Sequence, residues 1–160
     1  MLAVKAILWT LVAPGTVDVV VPAILIATRA GPLDLGPVRW LGLPLIVIGA
    51  PVLAWCIVKF AREGKGTLAP VDPPKFVVRG GPYRFVRNPM YVANVLIVSG
   101  EALFFESWAV GAWGVLIAAA FHGFVVRFEE PTLKRLFGDA YEEYRRSVPR
   151  WIPRVRRPRS

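Results

Sequence analysis

Arg79-Gly-Gly-Pro-Tyr-Arg-Phe-Val-Arg-Asn-Pro-Met-Tyr91 is a polar, turn-forming stretch between long apolar segments. Gly80-Gly81-Pro82 would end any helix that enters it, whereas Pro89 suits the first turn of the next helix and Asn88 occupies its N-cap position. The stretch therefore predicts a loop that gathers guanidinium groups, phenol hydroxyls and backbone N–H groups at the mouth of a membrane helix. Such groups suit an anionic or zwitterionic ligand. The alternative is a basic loop that only anchors the next span.

The composition of the chain is typical of one membrane domain. Its 160 residues are 55% hydrophobic, with a mean hydropathy of +0.49, and we treat residues 1–160 as a single domain. The net charge is +9. Because the basic residues flank the apolar segments, they indicate anionic lipid headgroups as partners and argue against nucleic acid. The single cysteine, Cys56, excludes a disulfide within the chain, and we expect no metal site.

Four apolar segments predict an all-α fold, an integral membrane bundle of about four transmembrane helices. The segments cover about residues 4–27, 40–60, 90–105 and 108–126. Only a short polar break separates the last two, which predicts a tight helical hairpin. The first segment lacks a convincing cleavage site, so we interpret it as a retained span and not as a signal peptide.

The basic residues also predict the orientation. The connection 61–89 and the tail 127–160 carry most of them, so the positive-inside rule places both regions and both termini in the cytoplasm. In a prokaryotic cell the membrane would be the inner membrane.

The tail contains the pattern of an amphipathic helix on the cytoplasmic face. Pro131 predicts the start of a new helix, and Pro149 predicts its end. Its apolar face would comprise Leu133, Leu136, Phe137, Tyr141 and Tyr144. The helix either lies along the membrane surface or folds back over the loop before Tyr91. The arginines that follow it suit anionic headgroups.

Two carboxylates and the single histidine fall within the predicted spans. Asp18 is either a functional carboxylate or a cap for the second half of a helix broken at Pro14-Gly15. Glu101 needs a partner or a wet surface. His122, the only histidine, is either a proton carrier or a neutral histidine that is hydrogen-bonded within the bundle.

The topology brings two polar regions to the same membrane face, namely residues 75–91 and 127–144. Glu129-Glu130 can therefore meet the arginine- and tyrosine-rich loop. The two carboxylates either hold the ammonium group or sugar hydroxyls of a ligand, or form ion pairs with the surplus arginines. The sequence alone leaves both alternatives open.

The ordered motifs of the second half resemble the isoprenylcysteine carboxyl methyltransferase family and its relatives, the phospholipid N-methyltransferases. The resemblance covers about residues 75–153. The motifs are Gly81-Pro-Tyr83, Arg87-Asn-Pro-Met-Tyr91, Glu129-Glu130, Phe137-Gly138 with Tyr141 and Tyr144, and Val148-Pro149.

The resemblance implies an integral membrane enzyme that transfers a methyl group from S-adenosylmethionine to a lipid-like acceptor, with S-adenosylhomocysteine as product. The acceptor would be a carboxylate, a thiol or an amine. The residues expected to bind the cofactor lie in the loop, at the start of the third span and after the fourth span. They are Lys75, Phe76, Val77, Val78, Tyr83, Arg87, Asn88, Pro89, Met90, Tyr91, Glu129 and Glu130.

Two positions depart from the family pattern. Asn88 stands where a histidine is usual, and Val125 stands where the eukaryotic enzymes have an arginine assigned to the substrate; Arg127 is displaced from it by two residues. A prenylated protein is therefore a doubtful acceptor. The catalytic residues stay unknown, with Arg127 and Glu130 as candidates. The alternative functions are an NADPH-dependent membrane sterol-type reductase and a non-catalytic protein that binds anionic lipid.

Overall fold

A computed structural model describes residues 14–29, 31–59, 62 and 78–153. The predicted start of the first span, the predicted contacts Lys75, Phe76 and Val77, and the end of the basic tail lie outside these residues. The described part is helical and contains no strand, which confirms the all-α prediction; only an isolated bridge joins Pro32 and Ser107. The helices are α1 (Thr16–Ala27), α2 (Gly42–Lys59), α3 (Pro89–Phe104), α4 (Trp108–Phe124) and α5 (Glu130–Ser147).

Two helical stretches are long and apolar enough to cross a membrane. Gly36–Lys59, which joins a 3₁₀ turn to α2, has a mean hydropathy of 2.4, and Trp108–Ser147 reaches 1.9 in its most apolar part. Only 22% of the residues in each of these apolar windows are buried. A core helix of a soluble protein would be mostly buried, so these exposed apolar surfaces are typical of helices that face lipid. The apolar helices α1 and α3 are shorter.

Small residues let α2 and α3 approach each other closely. A Cβ atom built on Gly49 of α2 would lie 2.8 Å from Cγ1 of Ile97 and 3.1 Å from the carbonyl oxygen of Ala93 on α3. A Cβ on Gly100 of α3 would lie 2.6 Å from the carbonyl oxygen of Gly42. The two backbones therefore touch along their length, as membrane helices do where glycine allows it.

A tight turn joins α3 to α4 and confirms the predicted hairpin. Ser107 caps α4, because its Oγ accepts a hydrogen bond from the backbone N–H of Val110 at 3.3 Å. Glu106 has a positive φ of 55°, and its carboxylate accepts bonds from the backbone N–H of Leu35 and from Arg39 at 3.0 and 2.9 Å. The turn thus holds the connection between α1 and α2 at this end of the bundle.

The two carboxylates within the predicted spans have buried oxygens without a hydrogen-bond partner among the described residues. Asp18 is 5% exposed, and both of its carboxylate oxygens lack one; the same is true of Oε2 of Glu101. The prediction that Asp18 caps a broken helix is wrong. Gly15 has helical angles (φ −61°, ψ −40°), and the chain runs through a π-helical turn, Thr16–Val20, without interruption.

The C-terminal helix does not begin anew at Pro131. A π-helical segment, Val125–Glu129, connects α4 to α5, so the helical path is continuous across the predicted boundary. It bends instead at Gly138, whose φ of 50° and ψ of −126° are not helical. Glycine adopts a positive φ at little cost.

α5 folds back over the loop before Tyr91, as one of the two alternatives predicted. The Oη of Tyr144 donates a bond of 2.6 Å to the carbonyl oxygen of Tyr83. Tyr141, Tyr144 and Val148 form a buried cluster, on which Leu133 and Phe137 pack. Leu136 was expected on the same face but is exposed. Leu133 and Phe137 are four residues apart and share one face of the helix, whereas Leu136 is rotated from Phe137 by about 100° around the helix axis.

The close contact of α2 and α3 predicts a large effect of one methyl group. Gly100→Ala should lower the melting temperature in detergent by several degrees, since overpacking costs about 1–3 kcal/mol. Gly111→Ala is the matched control, because the one described atom within 4 Å of its Cβ would be Cβ of Ala102 at 3.8 Å. Thermal unfolding followed by tryptophan fluorescence measures both variants. Equal melting temperatures would contradict the packing described here.

Candidate functional site

The loop that leads into α3 is compact and closely packed. Gly81, with a φ of 58°, starts a 3₁₀ turn (Gly81–Arg84) in which Pro82 and Tyr83 are buried. A Cβ on Gly81 would lie 2.8 Å from Cδ of the flexible Lys59 side chain, so the backbone angle, more than the space, favours glycine. The loop thereby places the Tyr83 side chain in a buried cluster with Cys56 and Val78, on which Met90 of α3 packs.

Asn88 occupies the N-cap position and Pro89 begins α3, as predicted. The Asn88 side chain, however, does not cap the helix. Its Nδ2 donates a bond of 3.3 Å to the carbonyl oxygen of Arg150, and the neighbouring Arg87 N–H donates to the carbonyl oxygen of Pro149 at 2.8 Å. The entrance of α3 is therefore joined to the segment after α5.

Glu130 lies at the centre of a buried ion-pair group. Nη1 of Arg87 lies 3.0 Å from its Oε1, and Arg150 donates two bonds, from Nε at 2.7 Å and from Nη2 at 2.8 Å. Burial opposes ionisation, but the bonds from Arg150 and the charge of Arg87 outweigh it and hold the pKa of Glu130 below its ordinary value. Of the two roles predicted for the glutamates, Glu130 therefore has the second, that of forming ion pairs with arginines.

Glu129 differs from its neighbour. The Oη of Tyr91 donates a bond of 3.1 Å to its Oε2, and the Tyr91 ring stacks on Phe121 with a centroid distance of 4.5 Å. Within the described ranges, no arginine, lysine or histidine lies within ion-pair distance of Glu129. The site therefore contains a partly buried carboxyl group that has no cationic partner among the described side chains. Burial raises the pKa of Glu129 above its ordinary value, and the bond from Tyr91 opposes that shift. A cation bound beside Glu129 would favour its ionised form.

Two buried donors in the loop that leads into α3 have no partner among the described residues. They are the Oη of Tyr83 and the Nε of Arg87. Burial raises the pKa of the Tyr83 phenol well above its ordinary value, so the hydroxyl stays protonated as a donor. Tyr83 also lies close enough to Glu129 to be affected by its charge. A carboxylate beside orphaned donors suits a ligand that carries both a positive charge and acceptor oxygens.

A model of the phospholipid methyltransferase family matches residues 38–140, which is more than half of the chain and includes α2 to α5 as far as Ala140. The chain belongs to the phospholipid methyltransferase family. Methyltransferases of this family use S-adenosylmethionine, a sulfonium with an ammonium group, a carboxylate and ribose hydroxyls. The charge of Glu129 and the free donors of Tyr83 and Arg87 fit that set of groups.

Curated proteins are similar to this chain over part of their length. The cobalt-zinc-cadmium resistance protein CzcN of Cupriavidus metallidurans is 32% identical over 72% of this chain and 47% of its own length. The nickel-cobalt-cadmium resistance protein NccN of Alcaligenes xylosoxydans xylosoxydans is 28% identical over 88% of this chain and 64% of its own. A protein-S-isoprenylcysteine O-methyltransferase of Schizosaccharomyces pombe is 32% identical over 49% of this chain and 34% of its own. The chain thus spans less than two thirds of each relative.

The remaining side chains that were predicted to contact the cofactor differ in how deeply they are buried. Val78 is buried against Cys56 and Tyr83, and Met90 packs on both clusters that join α2 to α3. Val78 and Met90 therefore pack against the loop from the side of the protein core. Arg127 is exposed, and Nη1 of its guanidinium would lie 3.5 Å from a Cβ built on Gly123. It is therefore separate from the ion-pair group around Glu130.

Sequence reasoning missed the aromatic side of the site. The Trp151 ring lies 6.4 Å from Tyr91, and its Nε1 donates a bond of 3.2 Å to Nδ1 of His122. His122 is thus hydrogen-bonded as one alternative predicted, but it lies on the surface and not within the bundle. Phe121 could have been found, since it continues the buried positions Val110, Gly114 and Ile117 at helical spacing. Trp151 lies among the arginines of the basic tail, where no sequence pattern predicts that it contacts Tyr91 or His122.

Glu130 predicts an acid-dependent stability. Glu130→Gln should lower stability at pH 7 by about 2–3 kcal/mol, less than for a fully buried pair because Arg150 is partly exposed. A depressed carboxyl pKa contributes stability above the ordinary pKa of glutamate, and that contribution is lost as pH falls through the lower native value. The melting temperatures of wild type and variant, measured from pH 7 to pH 3, should therefore converge in acid.

Glu143→Gln is the control for this experiment. Its side chain is 78% exposed and meets Arg79 at 3.4 Å, so its removal should change the melting temperature little at any pH. A constant difference between Glu130→Gln and wild type down to pH 3 would mean that the ion pairs do not stabilise the fold.

Proposed function

We propose that the chain transfers a methyl group from S-adenosylmethionine to a lipid-like or small amphiphilic acceptor at the cytoplasmic face of the membrane. The observation that carries this proposal is the Glu129 carboxyl group, which has no cationic partner among the described side chains and which Tyr91 holds near the orphaned hydroxyl of Tyr83. In an otherwise basic region, a free carboxylate of this kind selects for a positively charged ligand. Family membership makes S-adenosylmethionine that ligand.

We propose that different residues of the site bind different parts of the cofactor. Glu129 would hold its positively charged or hydroxyl-bearing part, and the free donors of Tyr83 and Arg87 would meet its acceptor oxygens. When bound, the cofactor supplies a methyl group activated by the adjacent sulfonium. The chain then has to align the acceptor for in-line attack and exclude water, and it needs no strong acid. Glu130 is not free to act as a base because two arginines hold it.

The membrane arrangement that we propose has four spans in one domain, residues 1–160. The shorter helices α1 and α3 would span with the two long ones, and α5 would cover the cytoplasmic end. The site and its surrounding arginines lie at the same end of α3 and α4, where Arg87 meets Glu130. By the positive-inside rule this end is cytoplasmic, with both termini, in the inner membrane of a prokaryotic cell. Anionic headgroups would meet the basic tail.

The name of one relative and the burial of Val125 support a particular class of acceptor. The printed name of one relative specifies an isoprenylcysteine, which combines a hydrocarbon chain with a carboxylate. We infer an acceptor of similar amphiphilic kind, which would enter laterally from the bilayer. Val125 is buried and occupies the place of the family arginine, so a prenylated protein is less suitable than a smaller amphiphile.

The cofactor assignment predicts a specific loss of affinity. S-Adenosylhomocysteine should bind the detergent-purified protein saturably in a calorimetric titration, and NADPH should not, since Glu129 would repel phosphate. Glu129→Gln should weaken binding at least about tenfold, which corresponds to about 1.4 kcal/mol. Tyr91→Phe keeps the ring on Phe121 and removes only the hydroxyl, so it should weaken binding less than Glu129→Gln.

Glu143→Gln serves as the matched control, because it removes one carboxylate from an exposed position. Melting temperatures of all variants separate a loss of binding from a loss of folding. Binding of NADPH alone would favour a reductase. Binding of neither ligand by a folded protein would favour a non-catalytic lipid-binding protein.

A further inference from the structure

The segment after α5 crosses the entrance of α3. The backbone N–H of Arg87 donates a bond of 2.8 Å to the carbonyl oxygen of Pro149. Nδ2 of Asn88 donates a bond of 3.3 Å to the carbonyl oxygen of Arg150. The backbone of the segment is therefore fixed against the start of α3, and Trp151 is the next residue along it.

Trp151 completes a closed set of contacts around the side chain of Tyr91. Phe121 stacks on the Tyr91 ring with a centroid distance of 4.5 Å, and the Trp151 ring lies 6.4 Å from it at an angle of 55°. Both distances are in the range of favourable aromatic pairs. Nε1 of Trp151 donates a bond of 3.2 Å to Nδ1 of His122, which follows Phe121 on α4. α4 therefore holds the Tyr91 ring twice, directly through Phe121 and indirectly through Trp151.

The bond to His122 sets the orientation of the Trp151 ring. An indole has one donor, Nε1–H, and no acceptor, so Nδ1 of His122 is the unprotonated nitrogen that accepts from it. Trp151 is only partly buried, and a ring in that position can adopt more than one rotamer. The bond selects the rotamer in which the indole contacts Tyr91.

Tyr91 transmits this orientation to Glu129. Its Oη donates a bond of 3.1 Å to Oε2 of Glu129, and among the described residues no other side chain donates a bond to this carboxyl group. The hydroxyl lies at the far end of a rigid ring, so any rotation of the ring displaces the hydroxyl most. The position of the Glu129 carboxyl group therefore depends on how firmly the Tyr91 ring is held.

We propose that Trp151 is a positioning residue of the cofactor site. Its bond to His122 holds the Tyr91 ring in place, and the Tyr91 hydroxyl in turn orients Glu129 toward the positively charged part of the cofactor. This inference rests on the proposed function and deepens it, because it adds two residues that act on the cofactor only through Tyr91.

Two substitutions break the bond from opposite sides. Trp151→Phe removes the indole N–H and keeps an aromatic ring, and His122→Leu removes the acceptor. In calorimetric titrations of the detergent-purified protein, each should weaken the binding of S-adenosylhomocysteine about threefold to tenfold, the range expected for one hydrogen bond. His122→Gln supplies an acceptor oxygen again and should recover most of the affinity. The melting temperatures of these variants should stay close to that of the wild type, since His122 is exposed and Trp151 is partly exposed.

Tyr91→Phe separates a positioning role from a structural one. This variant keeps the ring that contacts Phe121 and Trp151 and lacks the hydroxyl that reaches Glu129. In its background Trp151→Phe should cause no further loss of affinity, because the proposed route passes through that hydroxyl. Such non-additivity is expected only of residues that act on one another.

Trp40→Phe is the matched control. Trp40 is 58% exposed, and its ring contacts Phe104 at the other end of α3. The loss of its indole N–H should therefore leave the affinity for S-adenosylhomocysteine unchanged.

The bond itself can be observed without a ligand, because the chain has a single histidine. With ¹⁵N-labelled histidine, Trp151→Phe should change the Nδ1 resonance of His122 more than the Nε2 resonance, and Trp40→Phe should change neither. An Nδ1 resonance that is the same in wild type and Trp151→Phe would mean that the bond does not form, and the inference would fail.

The titrations distinguish this inference from the proposed function. If the wild type binds S-adenosylhomocysteine and both Trp151→Phe and His122→Leu bind it equally well, the positioning role is rejected and the proposed function stands. An equal loss from Trp151→Phe with and without the Tyr91 hydroxyl would also reject it, since Trp151 would then act on the fold. A folded wild type that binds no S-adenosylhomocysteine would contradict the proposed function and this inference with it.

Discussion

The structure of the site depends on the neutralisation of one buried carboxylate. Glu130 is held by Arg87 from the loop before α3 and by Arg150 from the segment after α5. Removing one partner from such a group leaves an uncompensated charge, which costs several kcal/mol. The ion pairs therefore join the loop before α3, the start of α5 and the segment after α5 at one point. The hydrogen bonds from this loop to the carbonyl oxygens of Pro149 and Arg150 connect the first and the last of these parts again. With these parts fixed, Tyr83 and Tyr91 are both brought to Glu129.

Two adjacent glutamates thus have different roles because of helix geometry. Consecutive residues of an α-helix point about 100° apart, so Glu130 faces the arginines and Glu129 faces Tyr91. The π-helical segment Val125–Glu129 ends at this pair. Single π-helical turns often occur at functional sites, where the wider turn changes the direction of a side chain. A charged support and a free carboxylate can therefore lie side by side without a common partner.

The sequence predicted where the helices begin and which regions meet, but it did not predict the different roles of Glu129 and Glu130. Turn chemistry predicted the start of α3 at Asn88-Pro89 and the hairpin before Trp108, because proline, glycine and polar breaks act locally. The charges predicted that Glu129-Glu130 would meet the loop. They could not show which glutamate is paired, since that depends on where Arg150 returns after the bend at Gly138. The prediction that a new helix begins at Pro131 was wrong. Proline cannot donate a backbone hydrogen bond to the carbonyl oxygen of Arg127, but the π-helical turn before it accommodates that loss without a break in the helix. The bond between Trp151 and His122 joins residues 29 apart and left no periodic signal.

The length of α3 has a consequence for the surrounding bilayer. Its 16 residues span about 24 Å, whereas the hydrocarbon core of a bilayer is about 30 Å thick. Hydrophobic mismatch of this size is accommodated by local thinning of the lipid or by the neighbouring helices. Since α3 carries Tyr91 near its first turn, lipid thinned around it would lower the headgroups toward the Tyr91–Glu129 pair. The amphiphilic acceptor that we propose would then travel only a short distance from its normal depth in the bilayer to reach this pair.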